Sequence, residues 1–242
     1  MSASVVEIVF VIDASESMRP CFDGLARHLE QFLRPLQGFQ FQIRLGLVAV
    51  KVGKSASGGR VVDTTTLAGG LSAIYEHGGQ SRLFTDSPDE FTRSLRGVQL
   101  SGDENTLLSL DIALDFPFGP VSKARRVIAL FSDERIEDGA VIESEFALIP
   151  DLIKKVGDRR IMLFAAMPNS PSLELLGSTD GCQIQAIQGG DGLASVDFGK
   201  LMEQMAKSIS VTSLQGAEGN YHRALFGQDR WNTADGSFDG LR

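Results

Sequence analysis

The sequence predicts an α/β fold: a doubly wound, mostly parallel central sheet with helices on both faces. Three observations predict it. Several short runs, such as Val5–Ile12 (VVEIVFVI) and Arg126–Phe131 (RVIALF), are nearly continuously apolar and rich in β-branched residues, as strands buried on both faces are. Between them lie segments whose apolar residues recur at helical spacing. Strands alternating with helices imply parallel pairing through right-handed crossovers. At 242 residues, with 43% hydrophobic and 22% charged residues, the chain can bury one large core without disulfide or metal staples.

The elements follow in order. Val5–Ile12 ends at the polar loop Asp13-Ala14-Ser15-Glu16-Ser17. Phe22, Leu25, Ala26, Leu29, Phe32, Leu33 and Leu36 then mark a helix, with Gly38 at its C-terminal end. Phe41–Val52 reads as a second strand, Gly53–Arg60 as a Gly/Ser turn, and Val61-Val62 follow it. Residues 63–87 carry a weak signal, and either Leu71–Tyr75 or Arg82–Phe84 is expected to form a short edge strand. Ser87-Pro88-Asp89-Glu90 reads as a helix start with a Ser87 cap, Pro88 at the first helical position and Glu90 closing a capping box; that helix runs to about Arg96. Thr106–Leu114 is a helix, Arg126–Phe131 a strand ending at Ser132-Asp133-Glu134, Ile142–Val156 a helix and Arg160–Ala166 a strand. Ser172–Leu176 is a short helix, Cys182–Ile187 the last strand of the sheet and Phe198–Val211 an amphipathic helix. The domain is thus expected to span 1–212. Residues 213–242, with five glycines and the aromatics Tyr221, Phe226, Trp231 and Phe238, read as a C-terminal extension that packs on its own domain or docks on a partner.

Charge narrows the function. The chain has 23 basic and 31 acidic residues, a net charge of −8, which argues against nucleic acid as a partner. No apolar run reaches the length of a membrane helix, and Met1–Glu7 has no basic stretch of the kind a secretion signal carries. Cys21 and Cys182 lie far apart with no metal-type spacing and are expected to be buried, reduced thiols. A cytoplasmic location is the expectation.

In a doubly wound sheet, ligands sit beyond the carboxyl ends of the strands, so the polar clusters at 13–17, 101–106 and 132–134 should converge on one edge. Asp13-x-Ser15-x-Ser17 offers one carboxylate and two hydroxyls from alternate residues of an extended loop. These are oxygen donors only, which suit a hard cation such as Mg²⁺; the blander reading is helix capping.

Strand, Asp-x-Ser-x-Ser, helix, and a later Asp ending another buried strand together resemble a von Willebrand factor A (vWA) domain, over about residues 5–211. The resemblance implies a metal-ion-dependent adhesion site at the top of the sheet that holds Mg²⁺ or Mn²⁺. In it Ser15 and Ser17 would coordinate the metal directly, Asp13 would act through water or hydrogen bonds to the serines, and Asp133 would supply the later carboxylate. The middle ligand is either Thr106 or Asp103, because Ser101–Thr106 (SGDENT) fits two varieties of the family's loop. Ser132-Asp133-Glu134 stands where the family often has Thr-Asp-Gly, and Ser101 replaces a Gly. The extra carboxylate of Glu134 strengthens attraction for cations and repels an acidic ligand, against the family's use of a partner carboxylate to complete the coordination sphere.

Other motifs fail. Gly53-Lys54-Ser55 resembles the end of a P-loop, but position 48 is Val and no helix follows. An aspartyl-phosphatase pattern would need Asp where Ser15 stands. There is no G-x-S-x-G elbow, and His28, His77 and His222 have no metal-ligand spacing. The resemblance therefore implies a non-catalytic, metal-dependent protein-binding adaptor of a bacterial stress-response or defence system. Stand-alone vWA proteins of this size accompany kinases, phosphatases or AAA+ ATPases. Two alternatives stand beside it: a metal-dependent phosphohydrolase using Asp13, Asp103 and Asp133, and a degenerate structural module that holds no metal.

Overall fold

A computed structural model describes residues 5–38, 41–75, 80–188, 193–194, 196–215, 231–232 and 237–238. In chain order the elements are β1 (Val5–Asp13), a 3₁₀ turn (Glu16–Met18), α1 (Arg19–Gly38), β2 (Gln42–Lys54), β3 (Arg60–Thr66), α2 (Ser72–Tyr75), α3 (Gln80–Leu83), α4 (Pro88–Arg96), α5 (Thr106–Leu114) and β4 (Ala124–Phe131). Then come α6 (Glu143–Phe146), α7 (Ile149–Asp158), β5 (Ile161–Pro168), α8 (Pro171–Gly177), β6 (Cys182–Ile187) and α9 (Phe198–Gln215). The sheet runs β3-β2-β1-β4-β5-β6. Every pair is parallel except β2–β3, so the doubly wound, mostly parallel architecture is as expected.

The apolar run of β1 is explained by burial on both faces. Side chains alternate across a strand, so Val6, Ile8, Phe10 and Ile12 enter a core with α1, α4 and α9, while Val9 and Val11 enter one with α5, α7 and α8. Phe10 anchors the first core, with ring centroids of Phe32, Phe91 and Phe131 at 6.1, 5.2 and 6.4 Å. On this face α1 and α9 pack closely: a Cβ built on Gly24 would lie 2.7 Å from the Phe198 ring. The one charge in the run, Glu7, is buried at the other end of the strand. Its carboxylate accepts from Arg44 Nη1 and from the Gly119 N–H, both at 2.6 Å.

The weakly signalled region differs from expectation. The edge strand is β3, Arg60–Thr66, whereas Leu71–Tyr75 and Arg82–Phe84 contribute to the short helices α2 and α3. Three consecutive threonines give β3 its β-branched character without an apolar pattern, and Thr64 and Thr66 are the residues of that strand that bury. The helix expected over 142–156 is split into α6 and α7, because Pro150 occupies the first turn of α7 and cannot continue a preceding helix. At α4, Ser87 Oγ accepts the Glu90 N–H, but Glu90 does not close the box directly. Thr85 stands between, its hydroxyl accepting from Ser87 N–H and donating to the Glu90 carboxylate.

Of the 213–242 extension, α9 runs on to Gln215, and Trp231–Asn232 pairs antiparallel with Ser237–Phe238. Tyr221 and Phe226 lie outside the described residues, as does His77. No described helix is long and apolar enough to cross a membrane. Cys21 and Cys182 are both buried, and neither is part of a disulfide.

Candidate metal centre

In sheet order β1 lies between β2 and β4; α1, which follows β1, and α5, which precedes β4, pack on opposite faces of the sheet, the arrangement that opens a crevice at the carboxyl ends of the two strands. Asp13 is the last residue of β1, and Asp133 follows the end of β4 by two residues. Both are buried, at 4% and 1% exposure.

The loop after β1 is folded by its own side chains. Asp13 Oδ1 accepts the Ser15 N–H at 2.7 Å, and Oδ2 accepts the Ser15 hydroxyl at 2.8 Å. Ser15 Oγ lies 2.9 Å from Ser17 Oγ, and the Ser17 hydroxyl donates to Asp133 Oδ1 at 3.2 Å. A chain of oxygens therefore runs from one carboxylate to the other through both serines. Each serine carries a single proton, so three contacts share two protons.

The middle loop leads into α5. Asn105 caps that helix, its Oδ1 accepting the Leu108 N–H at 2.9 Å. Upstream, Asp103 exchanges backbone hydrogen bonds with Val52 of β2, N to O at 2.7 and 2.8 Å. Gly102 makes this approach possible: its φ is +77°, and a Cβ there would sit 2.6 Å from the Val52 carbonyl oxygen. Extended backbone at Asp103 sends adjacent side chains to opposite sides. Asp103 is exposed and Glu104 is buried at 2% exposure.

Glu104 is thus the carboxylate that joins the centre. Oxygens of Asp13, Glu104 and Asp133 all lie within 4.8 Å of one another. Asp103 falls in a second group, with Glu104 and Glu134, and its Oδ1 accepts the Glu104 N–H at 3.2 Å. Thr106 is buried as the first residue of α5. The sequence does not distinguish Glu104 from Asp103, because only the Asp103–Val52 pairing decides which of the two adjacent acids turns inward.

The loop after β4 is braced against this one. The Ala140 N–H donates to Glu104 O at 2.7 Å, and Asn105 Nδ2 donates to Ala140 O and to Glu145 Oε2 at 3.2 and 2.7 Å. Arg60 clamps the same Glu145 with two donors, at 2.7 and 3.1 Å.

Crowding carboxylates out of water raises their affinity for protons. Burial, with a smaller push from the Asp133 charge, raises Asp13 to about 7 despite the lowering hydrogen bonds from Ser15. Burial, then the contact with Glu134 and the charges of Asp13, Glu134 and Asp103, push Glu104 up to about 10. Glu104 Oε1 is buried with no hydrogen-bond partner. A buried carboxylate oxygen left without a donor is costly, and the donors around it are all oxygens. The residues fit a hard divalent cation, which would satisfy that oxygen and the proton-poor serine pair together. His28 is elsewhere, paired with Gln31 on α1 at 3.2 Å.

No protein-family model matches the chain, and no curated protein matches it. Solved structures do. The chain is similar to the von Willebrand factor type A protein from Catenulispora acidiphila, with 16% identity and TM-score 0.53, over 84% of this chain and 43% of that one. It is similar as well to the pilus adhesin SpaC from Lactobacillus rhamnosus GG, with 13% identity and TM-score 0.53, over 86% of this chain and 31% of the adhesin. The open conformation of SpaC gives 12% identity and TM-score 0.52, over 88% of this chain and 31% of the adhesin. The chain thus spans less than half the length of these proteins. The fold is of the vWA type.

Proposed function

We propose that this chain is a metal-ion-dependent protein-binding module whose centre holds Mg²⁺ or Mn²⁺ through Asp13, Ser15, Ser17, Glu104 and Asp133. The observation that carries the reading is the buried, oxygen-only cluster at the carboxyl edge of the sheet, with Glu104 Oε1 lacking a donor. A bound cation supplies Lewis acidity and an open position for an oxygen of the partner. Asp13 holds the Ser15 hydroxyl and Asp133 the Ser17 hydroxyl, and the Asn105–Glu145–Arg60 brace holds the Glu104 loop.

Binding, not catalysis, is the role proposed. Use of the same fold by a pilus adhesin is in keeping with a protein partner. We place the module in the cytoplasm as an adaptor of a bacterial stress-response or defence assembly, with a kinase, phosphatase or AAA+ ATPase as the class of partner. Titrating Mg²⁺ into metal-free protein tests the centre. At a hundredfold excess over Kd, the cation should stabilise the fold by about 2.7 kcal/mol. No rise in melting temperature at millimolar Mg²⁺ or Mn²⁺ would sink the reading.

A further inference from the structure

We propose that two short strands, β7 (Trp231–Asn232) and β8 (Ser237–Phe238), shield the outer edge of β6 and so keep a second copy of this chain from adding a strand to the sheet. The inference concerns the sheet edge and does not depend on the metal centre.

The open sheet has two edge strands, β3 and β6. An edge strand offers unpaired N–H and C=O groups to any extended segment that reaches it. On β6 the register identifies these groups. The Leu163 N–H donates to Gly181 O at 2.9 Å, and in a parallel ladder alternate residues face the same neighbour. Gln183, Gln185 and Ile187 therefore turn their backbone groups towards β5, and Ile184 and Ala186 turn theirs outward.

The two edges are protected differently. β3 carries Arg60 and Asp63, both exposed, and charges on an edge discourage pairing. β6, CQIQAI, has no charge, proline or glycine, the composition of segments that pair readily with one another. Here the chain supplies a cover instead: Cα atoms of β7 come within 8 Å of those of β6. Among the described residues, β7 pairs with β8 and not with β6. The pair thus occupies the approach to the edge without extending the ladder, which makes it a guard and not a seventh strand.

Amide hydrogen exchange of the full chain at dilute concentration tests this. Ile184 and Ala186 are the reporters, and Gln183 and Gln185, facing β5, are the controls. Asn232→Pro together with Ser237→Pro takes backbone donors from the β7–β8 pair. In that variant the reporters should exchange at least about tenfold faster, with the controls unchanged. At high concentration it should dimerise in sedimentation, whereas the unaltered chain stays monomeric. Adding Ala186→Pro, which removes an outward donor and no bond to β5, should restore the monomer. Unchanged reporter rates, a variant that stays monomeric, or a dimer indifferent to Ala186→Pro would each overturn the inference. A second measurement needs no proline. A nitroxide attached through Ser237→Cys should broaden the Ile184 and Ala186 amide signals, since Cys21 and Cys182 are buried and closed to the label. Signals left sharp would defeat the inference even if the proline variant failed to fold.

Discussion

Ser15 Oγ and Ser17 Oγ stand 2.9 Å apart, and each also contacts a carboxylate, Asp13 at 2.8 Å and Asp133 at 3.2 Å. Two hydroxyl protons serve three contacts. A proton on Asp13 satisfies all three in series, which agrees with the raising of Asp13 to about 7. A cation touching both serine oxygens satisfies them without that proton.

Cation binding should therefore expel a proton near neutrality. Affinity for Mg²⁺ is expected to fall as pH drops below about 7, where Asp13 keeps its proton. Calorimetry in two buffers of different ionisation heat measures the release directly; equal heats in both at pH 6.5 would contradict it.

The metal-free fold should show the opposite trend in stability. Asp13 binds its proton more tightly folded than unfolded, so the folded state carries more protons between its ordinary value of 3.8 and about 7. Stability then falls as pH rises through that window. Saturating Mg²⁺ should remove the trend. Thermal melts at pH 5 and pH 7.5, with chelator and with Mg²⁺, check both halves.

Glu104→Gln separates folding from binding. Glu104, pushed up to about 10, already carries its proton in the metal-free protein at neutral pH, so the neutral isostere should leave the melting temperature nearly unchanged. The same change removes a charged ligand, and cation affinity should drop by at least about tenfold. Parallel losses in both would point to a packing role for Glu104.

Gly24→Val tests the α1–α9 contact. A Cβ at Gly24 meets the Phe198 ring at 2.7 Å, and forcing it apart costs about 1–3 kcal/mol. The melting temperature should fall by roughly 2–4 °C per kcal/mol for a chain of this size. An unchanged melt would mean that the ring moves aside freely.

The cluster should not turn over phosphate esters or nucleoside triphosphates with Mg²⁺ or Mn²⁺ present. Hydrolysis that persists through purification and is abolished by Asp13→Ala, with the fold intact by circular dichroism, would favour the phosphohydrolase alternative.

Residue pattern by itself determined the layered architecture and two of the three carboxylates that cluster at the sheet edge. The apolar run Val5–Ile12 can only be a strand covered on both faces, and Asp13 and Asp133 follow directly from where such runs stop. Local periodicity encodes burial, and burial sets the element order. The third was decided by contacts distant in sequence. Asp103 and Glu104 are adjacent acids with nothing local to distinguish them; the pairing of Asp103 with Val52, allowed by the φ of +77° at Gly102, turns one out and the other in. In the same way β3 became the edge strand through its pairing with β2, since three threonines carry no apolar pattern to announce it. Side-chain direction in a loop follows the hydrogen bonds of its backbone, and those partners are supplied only by the tertiary structure.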